Sequence, residues 1–89
     1  MEFEWDPEKA ESNFRKHRVR FAEATKIFND HNFLTMLDEM TDEERYIAVG
    51  FGSRGRVLSA VYTVRGESVR LISARKATRA ELEQYENRK

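Results

Sequence analysis

The sequence contains no cysteine, which excludes disulfide bonds, thiolate nucleophiles and zinc sites built from cysteine. It contains two histidines, His17 and His31, which lie fourteen positions apart. Two isolated imidazoles do not form a metal site from protein ligands alone. We therefore expect a protein that works without a metal and without any other cofactor.

Long apolar runs are missing as well. No stretch reaches the roughly 18 apolar residues that a membrane-spanning helix needs. The first residues, MEFEWDPEKAE, are acidic and lack both the basic start and the apolar centre of a signal peptide. We expect a cytoplasmic protein that does not bind a membrane.

Proline occurs once and glycine four times in the 89 residues, and the chain shows no linker, repeat or low-complexity segment. Its length suits one small domain, and a hydrophobic content of 39% is enough for one modest core. We interpret residues 1–89 as a single domain.

The net charge is zero, but the charges are unevenly distributed along the chain. Residues 1–44 contain six Lys or Arg and twelve Asp or Glu, whereas residues 45–77 contain seven Lys or Arg and the single acid Glu67. Arginine outnumbers lysine eleven to five, and arginine can bind phosphate through two parallel hydrogen bonds. The second half therefore predicts a basic surface that faces an anion or polyanion. An ordinary salt-bridged surface is the alternative.

Helical signals lie at both ends of the chain. Asp6 is an N-cap residue followed by Pro7 at the first helical position, which predicts a helix from Pro7 to about His17. The apolar spacing in FAEATKIF, residues 21–28, predicts a second short helix. Thr78 and Glu81 form a capping-box pattern, which predicts a C-terminal helix to about residue 87.

The middle of the chain has the pattern of β-strands. RYIAVGF from residue 45, RVLSAVYTV from 56 and SVRLISAR from 68 are separated by short glycine-containing turns, as in antiparallel hairpins. FLTML at 33–37 predicts a further strand, and DEMTDEE at 38–44 a charged connection. FEW at 3–5 fits a short edge strand.

These elements predict an α+β fold in which two N-terminal helices pack on a small antiparallel sheet of about four strands, followed by a C-terminal helix. Alternation along the 56–64 strand predicts a core row of Leu58, Ala60, Tyr62 and Val64. In the last strand the same reasoning assigns Ile72 and Ala74 to the core row. It leaves on the other face, together with Arg65, the residues Val69, Leu71, Ser73 and Arg75. A slip of one residue would exchange the two faces.

A set of characteristic residues is spaced over nearly the whole chain: Trp5-Asp6-Pro7, Asn13, Lys16-His17, Phe21, Ala24, Phe28, Asp30, Glu44-Arg45-Tyr46, Tyr62-Thr63, Arg65, the run from Ile72 to Ala77, Glu81 and Tyr85. In these residues the chain resembles the BrnT family of bacterial type II toxins. Arg18 departs from the pattern, because the family usually has glycine after the Lys-His pair.

The resemblance implies a ribonuclease toxin of the RelE-like fold class. It also implies a BrnA-like antitoxin that neutralises the toxin in a complex with two copies of each chain, and RNA as the substrate. Two other classes of function stay open on the residues alone. One is a nucleic-acid-binding module without catalysis, and the other is a protein-interaction module whose oppositely charged halves dock a partner.

Metal-free RNA cleavage needs a base for the ribose 2′-OH, cations for the charge that develops on phosphorus, and an acid for the departing 5′-oxygen. We hypothesise that Arg65 and Arg75 bind the scissile phosphate, that His17 transfers protons, and that Lys76 assists electrostatically. Each has a plainer reading. Arg75 would pair with Glu81, Arg65 would be a turn residue, and His17 would stabilise the end of its helix.

Overall fold

The computed structural model describes residues 1–39 and 44–88. The strands are β1 (Glu2–Glu4), β2 (Leu34–Leu37), β3 (Tyr46–Phe51), β4 (Val57–Arg65) and β5 (Ser68–Lys76). The α-helices are α1 (Pro7–His17), α2 (Phe21–Ala24) and α3 (Arg79–Asn87), and a 3₁₀ helix at Thr25–Asn29 continues α2. The predicted charged connection at 38–44 lies partly outside the described residues. No helix in the described ranges combines the length and apolar character that a membrane crossing requires.

The local signals for the helix ends are confirmed. The side chain of Asp6 accepts a hydrogen bond from the backbone N–H of Glu8 at 2.9 Å, and Pro7 begins the helix. Thr78 and Glu81 form both hydrogen bonds of a capping box at the start of α3. These signals succeed because each involves residues within one helical turn.

The sheet has five strands in the order β1-β5-β4-β3-β2. Four of the strands form the predicted antiparallel meander, but β1 pairs in parallel with β5, with Phe3 opposite Val69. The sheet is therefore mixed, and the prediction of an antiparallel sheet of about four strands was incomplete. Parallel pairing between the two ends of a chain has no local turn signal from which it can be recognised.

One face of the sheet carries α1, α2 and the 3₁₀ helix over the main core. The buried residues of this core are Val19, Phe21, Ala24, Ile27, Ala48, Leu58, Ala60, Tyr62, Val69, Leu71 and Ala74. Leu58, Ala60 and Tyr62 match the predicted core row, whereas Val64 is 55% exposed near the end of β4. The two N-terminal helices thus lie where the sequence predicts them.

A β-bulge overturns part of the face assignment in β5. Val61 pairs with Ser73 but Tyr62 pairs with Leu71, so Ile72 is an extra residue without a partner in β4. The extra residue reverses the alternation. Val69 and Leu71 consequently belong to the core, and their predicted placement on the other face was wrong.

The other face of the sheet is partly covered by α3. Ser59, which alternates with the core residues of β4, donates a hydrogen bond to Glu81 at 3.3 Å. The ring of Tyr85 contacts that of Phe51 edge to face, with centroids 5.8 Å apart. The helices therefore lie on both faces of the sheet, with α1 and α2 on one face and α3 on the other.

The first helix also closes one edge of β5. Beyond the three residues of β1, the buried side chain of Asn13 takes the place of a neighbouring strand. Its Nδ2 donates to the carbonyl of Ala74 at 2.8 Å and to that of Val19 at 3.0 Å, and its Oδ1 accepts from the N–H of Ala74 at 3.0 Å. The polar side of α1 is thereby fixed against the bulged part of the strand.

Candidate nucleic-acid interface

The bulge in β5 and the polar side of α1 together form a shallow hollow of about 240 Å³. Its lining residues are Lys9, Ser12, Asn13, Lys16, His17, Ile72 and Ser73. His17 is half-buried in the last turn of α1, whereas Lys9 and Lys16 are exposed. The hydrogen bonds of Asn13 to Ala74 hold this part of α1 against β5. The hollow therefore places an imidazole and two ammonium groups beside an irregular strand edge.

A second hollow of about 330 Å³ adjoins the first and shares Lys9 and Ile72 with it. Its other lining residues are Glu44, Arg45, Thr63, Arg65 and Arg70. We call the two hollows together the cationic groove, whose cations are Lys9, Lys16, Arg45, Arg65 and Arg70 and which also contains the imidazole of His17. Basic side chains from one helix and three stretches of the sheet region thus converge on one surface.

Arg65 and Arg70 are brought together across the β4–β5 hairpin by a shared carboxylate. Glu4 lies 3.5 Å from Arg65 and 3.3 Å from Arg70. The side chain of Arg65 is 61% exposed and that of Glu4 is 40% exposed, so water screens the pair and its strength is small. Both guanidinium groups therefore keep hydrogen-bond donors available to an anion.

Arg75 lies on the same face as Arg65 but is held elsewhere. It pairs across the sheet with Ser59, six residues before Arg65 in β4, which separates the two backbones by about 20 Å at 3.4 Å per residue. Its guanidinium donates to both carboxylate oxygens of Glu81, at 2.8 and 3.1 Å. Arg65 and Arg75 do not converge on a common point.

The ionisation of this pair reflects its environment. Hydrogen bonding to Glu81 raises the pKa of Arg75 above its usual range. Burial alone would raise the pKa of Glu81, but hydrogen bonds from Arg75, the Thr78 backbone and Ser59 hold it below the ordinary value. The charged forms of both groups are thus stabilised at the junction of β5 and α3.

Lys76 is exposed at the end of β5 and pairs with Leu58, whose side chain belongs to the main core. By alternation its side chain leaves the sheet on the face opposite to Arg75. Among the four residues singled out in the sequence, the structure brings His17 and Arg65 into the cationic groove. Arg75 and Lys76 lie outside its lining.

Sequence reasoning did not identify Lys9, Arg45 and Arg70 as parts of the site. Arg70 was missed because the bulge at Ile72 reverses the alternation on which its placement depends. Lys9 was missed because the Asp6-Pro7 signal that predicts α1 does not indicate which of its side chains share the polar side. The helical spacing of Lys9 and Lys16, one heptad apart, is the signal that places both on the same side of α1.

The groove has the chemical groups that RNA backbone cleavage requires. Guanidinium groups stabilise the negative charge of a phosphate and of its transition state. An imidazole can accept or donate a proton near neutral pH. No group of three His, Asp or Glu side chains suited to a metal is present in residues 1–39 and 44–88.

Comparisons with known proteins point to the same chemistry. The sequence model of a family described as "Ribonuclease toxin, BrnT, of type II toxin-antitoxin system" matches residues 5–81. A search of the curated proteins found no match.

Among solved structures, the chain is similar to the crystal structure of the ribonuclease toxin BrnT of Brucella abortus, with a TM-score of 0.66 and 23% sequence identity. The alignment covers 89% of this chain and 99% of the Brucella protein. At this identity the comparison supports a common fold, an α+β arrangement around a mixed sheet.

Proposed function

The chain belongs to the BrnT family of ribonuclease toxins of type II toxin–antitoxin systems, and from this we propose that the cationic groove is the place where RNA is bound and cut. The activity is that of an endoribonuclease. One observation carries the proposal: the hollow that contains His17 and the hollow that contains Arg65 and Arg70 meet at Lys9 and Ile72. A phosphate at this junction has cations on one side and an imidazole on the other.

In this proposal Arg65, Arg70 and Lys9 bind the scissile phosphate and stabilise the extra negative charge of the transition state. Arg65 is the most exposed of the pair that shares Glu4, and RNA phosphate competes with that carboxylate for its donors. A guanidinium offers two parallel hydrogen bonds to two phosphate oxygens, which a lysine cannot reproduce.

We assign proton transfer to His17. It removes the proton of a ribose 2′-OH, the 2′-oxygen attacks phosphorus, and the bond to the 5′-oxygen breaks as that oxygen takes a proton from a water molecule. The products are a 2′,3′-cyclic phosphate and a free 5′-hydroxyl. The reaction needs no metal in this scheme, because the groove's own cations neutralise the charge.

The roles of Arg75 and Lys76 are more distant in this proposal. Arg75 positions α3 against the sheet through Glu81, and Lys76 adds positive potential at the end of β5. Both support the site without contacting the scissile phosphate. We also propose that residues 1–89 form a single domain and that its fold belongs to the RelE-like class.

Cleavage of RNA by purified protein tests the proposal. Arg65→Ala should lower the cleavage rate by about 10²–10³-fold, the usual effect of removing one preorganised donor. His17→Gln should lower it by about 10²–10⁴-fold. The matched controls are Arg88→Ala and His31→Gln, which remove an exposed arginine and an exposed histidine outside the groove and should retain full activity.

Each outcome bears on a different part of the proposal. Folded Arg65→Ala and His17→Gln proteins with wild-type rates would remove the groove from the reaction. Loss of cleavage on addition of EDTA would contradict the metal-free scheme. RNA binding without any cleavage by the wild-type protein would favour the non-catalytic binding module.

A toxin of a type II system has an antitoxin protein as its partner. We propose that this partner is BrnA-like, that the complex contains two copies of each chain, and that it forms in the cytoplasm. Co-expression with the partner should abolish the growth arrest that the toxin causes. The mass of the purified complex in solution, measured by light scattering, tests the stoichiometry.

A further inference from the structure

A further basic hollow, separate from the cationic groove, lies at the other side of the C-terminal end of α1. It has no role in the proposed cleavage reaction. It has a volume of about 330 Å³ and is lined by Phe14, Arg18, Arg20, Ala22, Glu23, Ser53 and Arg54. Arg18 and Arg20 come from the connection between α1 and α2, and Arg54 comes from the turn between β3 and β4. All three arginines are exposed.

None of the three guanidinium groups forms a salt bridge with a carboxylate among the residues that the structure describes, although Arg54 lies near enough to Glu23 to interact with its charge. The acid that lines the hollow, Glu23, is already occupied by Arg56, whose Nε and Nη2 each donate to it at 2.8 Å. The pKa of Glu23 is lowered chiefly by this hydrogen bonding. The hollow therefore has an excess of positive charge that the fold does not neutralise.

An aromatic ring orients two of the arginines. The guanidinium of Arg20 lies 3.9 Å from the centroid of the Phe14 ring, and that of Arg18 lies 5.5 Å from it. Such stacking restrains the guanidinium plane and leaves its N–H edge free to donate. The donors are thus partly ordered before any ligand arrives.

The backbone of Arg18 is strained. Its φ of 59° and ψ of 32° place it in the left-handed region, where glycine is the usual residue after a helix. An arginine at this position costs stability that a glycine would not.

We propose that this hollow binds a backbone phosphate of the RNA substrate, away from the bond that is cut. The inference rests on the proposed function of the cationic groove. Its geometric support is continuity: His17 lines the groove and Arg18 lines this hollow, and the Cα atoms of consecutive residues are about 3.8 Å apart. An RNA strand that leaves the groove past His17 crosses the end of α1, where Arg15 is exposed, and reaches Arg18.

Salt-dependent binding of RNA of two lengths tests this second site. The probes are 2′-O-methyl oligonucleotides, which cannot be cut through the 2′-oxygen, of about 4 and about 12 nucleotides, within the range that single-strand-binding sites cover. The test variant is Arg20→Ala/Arg54→Ala, with Lys26→Ala/Arg88→Ala as a control that removes the same charge elsewhere. Arg18→Gly is a third variant, which keeps the backbone conformation and removes the side chain.

Affinity for the long probe decreases with salt, so the slope of log affinity against log salt is negative. In the test variant this slope should become less steep by about 0.7 for each RNA phosphate that the variant no longer neutralises. Binding of the short probe and cleavage of a short substrate should stay at the wild-type level, and the control should match wild type with both probes. Retained melting temperatures would show that the variants are folded.

Wild-type protein that binds RNA, with an unchanged slope in the test variants, would overturn the second site alone. Wild-type protein that neither binds nor cleaves RNA would overturn the proposed function together with it. Variants that bind RNA normally but no longer bind the antitoxin would also overturn the inference, since they would assign the hollow to the protein partner.

Discussion

Arg75 donates two hydrogen bonds to the carboxylate of Glu81, at 2.8 and 3.1 Å, and so fastens the first turn of α3 to the last strand of the sheet. The same carboxylate accepts hydrogen bonds from the Thr78 backbone and from Ser59. With its side chain only 14% exposed, Glu81 joins a helix cap, a strand end and the middle of the sheet in one network.

Arg75→Ala should lower the free energy of unfolding by about 1–3 kcal/mol, because the largely buried carboxylate of Glu81 loses its charged partner. Glu81→Ala should have a similar effect, and the double variant should lose less than the two together. Urea unfolding of the four proteins measures this coupling as a double-mutant cycle.

Cleavage assays on the same four proteins distinguish a positioning role of Arg75 from direct binding of phosphate by Arg75. If Arg75 acts through Glu81, both single variants lower the rate equally and the double variant lowers it no further. A loss on the order of 10²-fold in Arg75→Ala, with normal activity in Glu81→Ala, would instead make Arg75 a direct phosphate ligand.

The Glu23–Arg56 pair should make the protein sensitive to acid. Hydrogen bonding to Arg56 holds the pKa of Glu23 below its ordinary value of 4.5, so the folded state binds this proton less readily than the unfolded state. The stabilisation is present above pH 4.5 and is lost as the pH falls below it. In urea unfolding at several pH values, Glu23→Gln should be less stable near neutrality and should lose less stability on acidification. If Glu23→Gln and the wild-type protein lost the same free energy of unfolding on acidification, the prediction would be contradicted.

Tyr85 should govern stability at the opposite end of the pH scale. Burial, followed by a 2.5 Å hydrogen bond to Asp30, raises its pKa from 10.0 to about 12. The folded state keeps this proton after the unfolded state has released it, so stability is full below pH 10 and declines between about pH 10 and 12. The decline is on the order of 2–3 kcal/mol at 1.36 kcal/mol per pKa unit.

Tyr85→Phe should remove this alkaline decline and should be less stable near pH 7, because Asp30 loses a donor. Tyr46→Phe is the control for loss of a tyrosine hydroxyl elsewhere. Phenolate absorbance of the wild-type protein during an alkaline titration gives an independent measurement. Titration of all the tyrosines in a single step near pH 10 would contradict the raised pKa.

Asn13 should tolerate neither a charge nor truncation. Asn13→Ala removes three hydrogen bonds and leaves the backbone groups of Ala74 without their partner at the sheet edge, at a cost of about 2–4 kcal/mol. Asn13→Asp places a carboxylate against the carbonyls of Val19 and Ala74. Since protonation relieves this repulsion, the Asp variant should melt at a higher temperature at about pH 5 than at about pH 8, and the Ala variant should show no such difference.

The helix ends and the hairpins were predictable from the sequence because their signals are local. The Asp6-Pro7 start, the Thr78–Glu81 cap and the glycine turns each involve residues within one turn of one another. The pairing of β1 with β5 and the packing of α3 on the second face were not predictable in this way. Both depend on contacts between distant parts of the chain, which no short pattern encodes.

The candidate site likewise combines residues that the sequence indicates locally with an arrangement that depends on distant contacts. His17 and Arg65 stand out as a histidine at a helix end and an arginine before a hairpin turn. Their common groove depends on the bulge at Ile72, which shifts Arg70 to the face of Arg65 and leaves an irregular edge beside α1. A bulge adds one residue without changing the composition of a strand, so alternation alone misplaces every residue on one side of it.

The parallel pair of β1 and β5 has a consequence for the order of assembly during synthesis. Phe3 is made 66 residues before Val69, the residue that it faces in the sheet. Asn13 likewise cannot form its hydrogen bond with Ala74 until Ala74 has been synthesised. Arg70 and Ile72 lie in the same strand, β5, which is the last strand to be made. A growing chain therefore cannot complete the groove until β5 has left the ribosome exit tunnel.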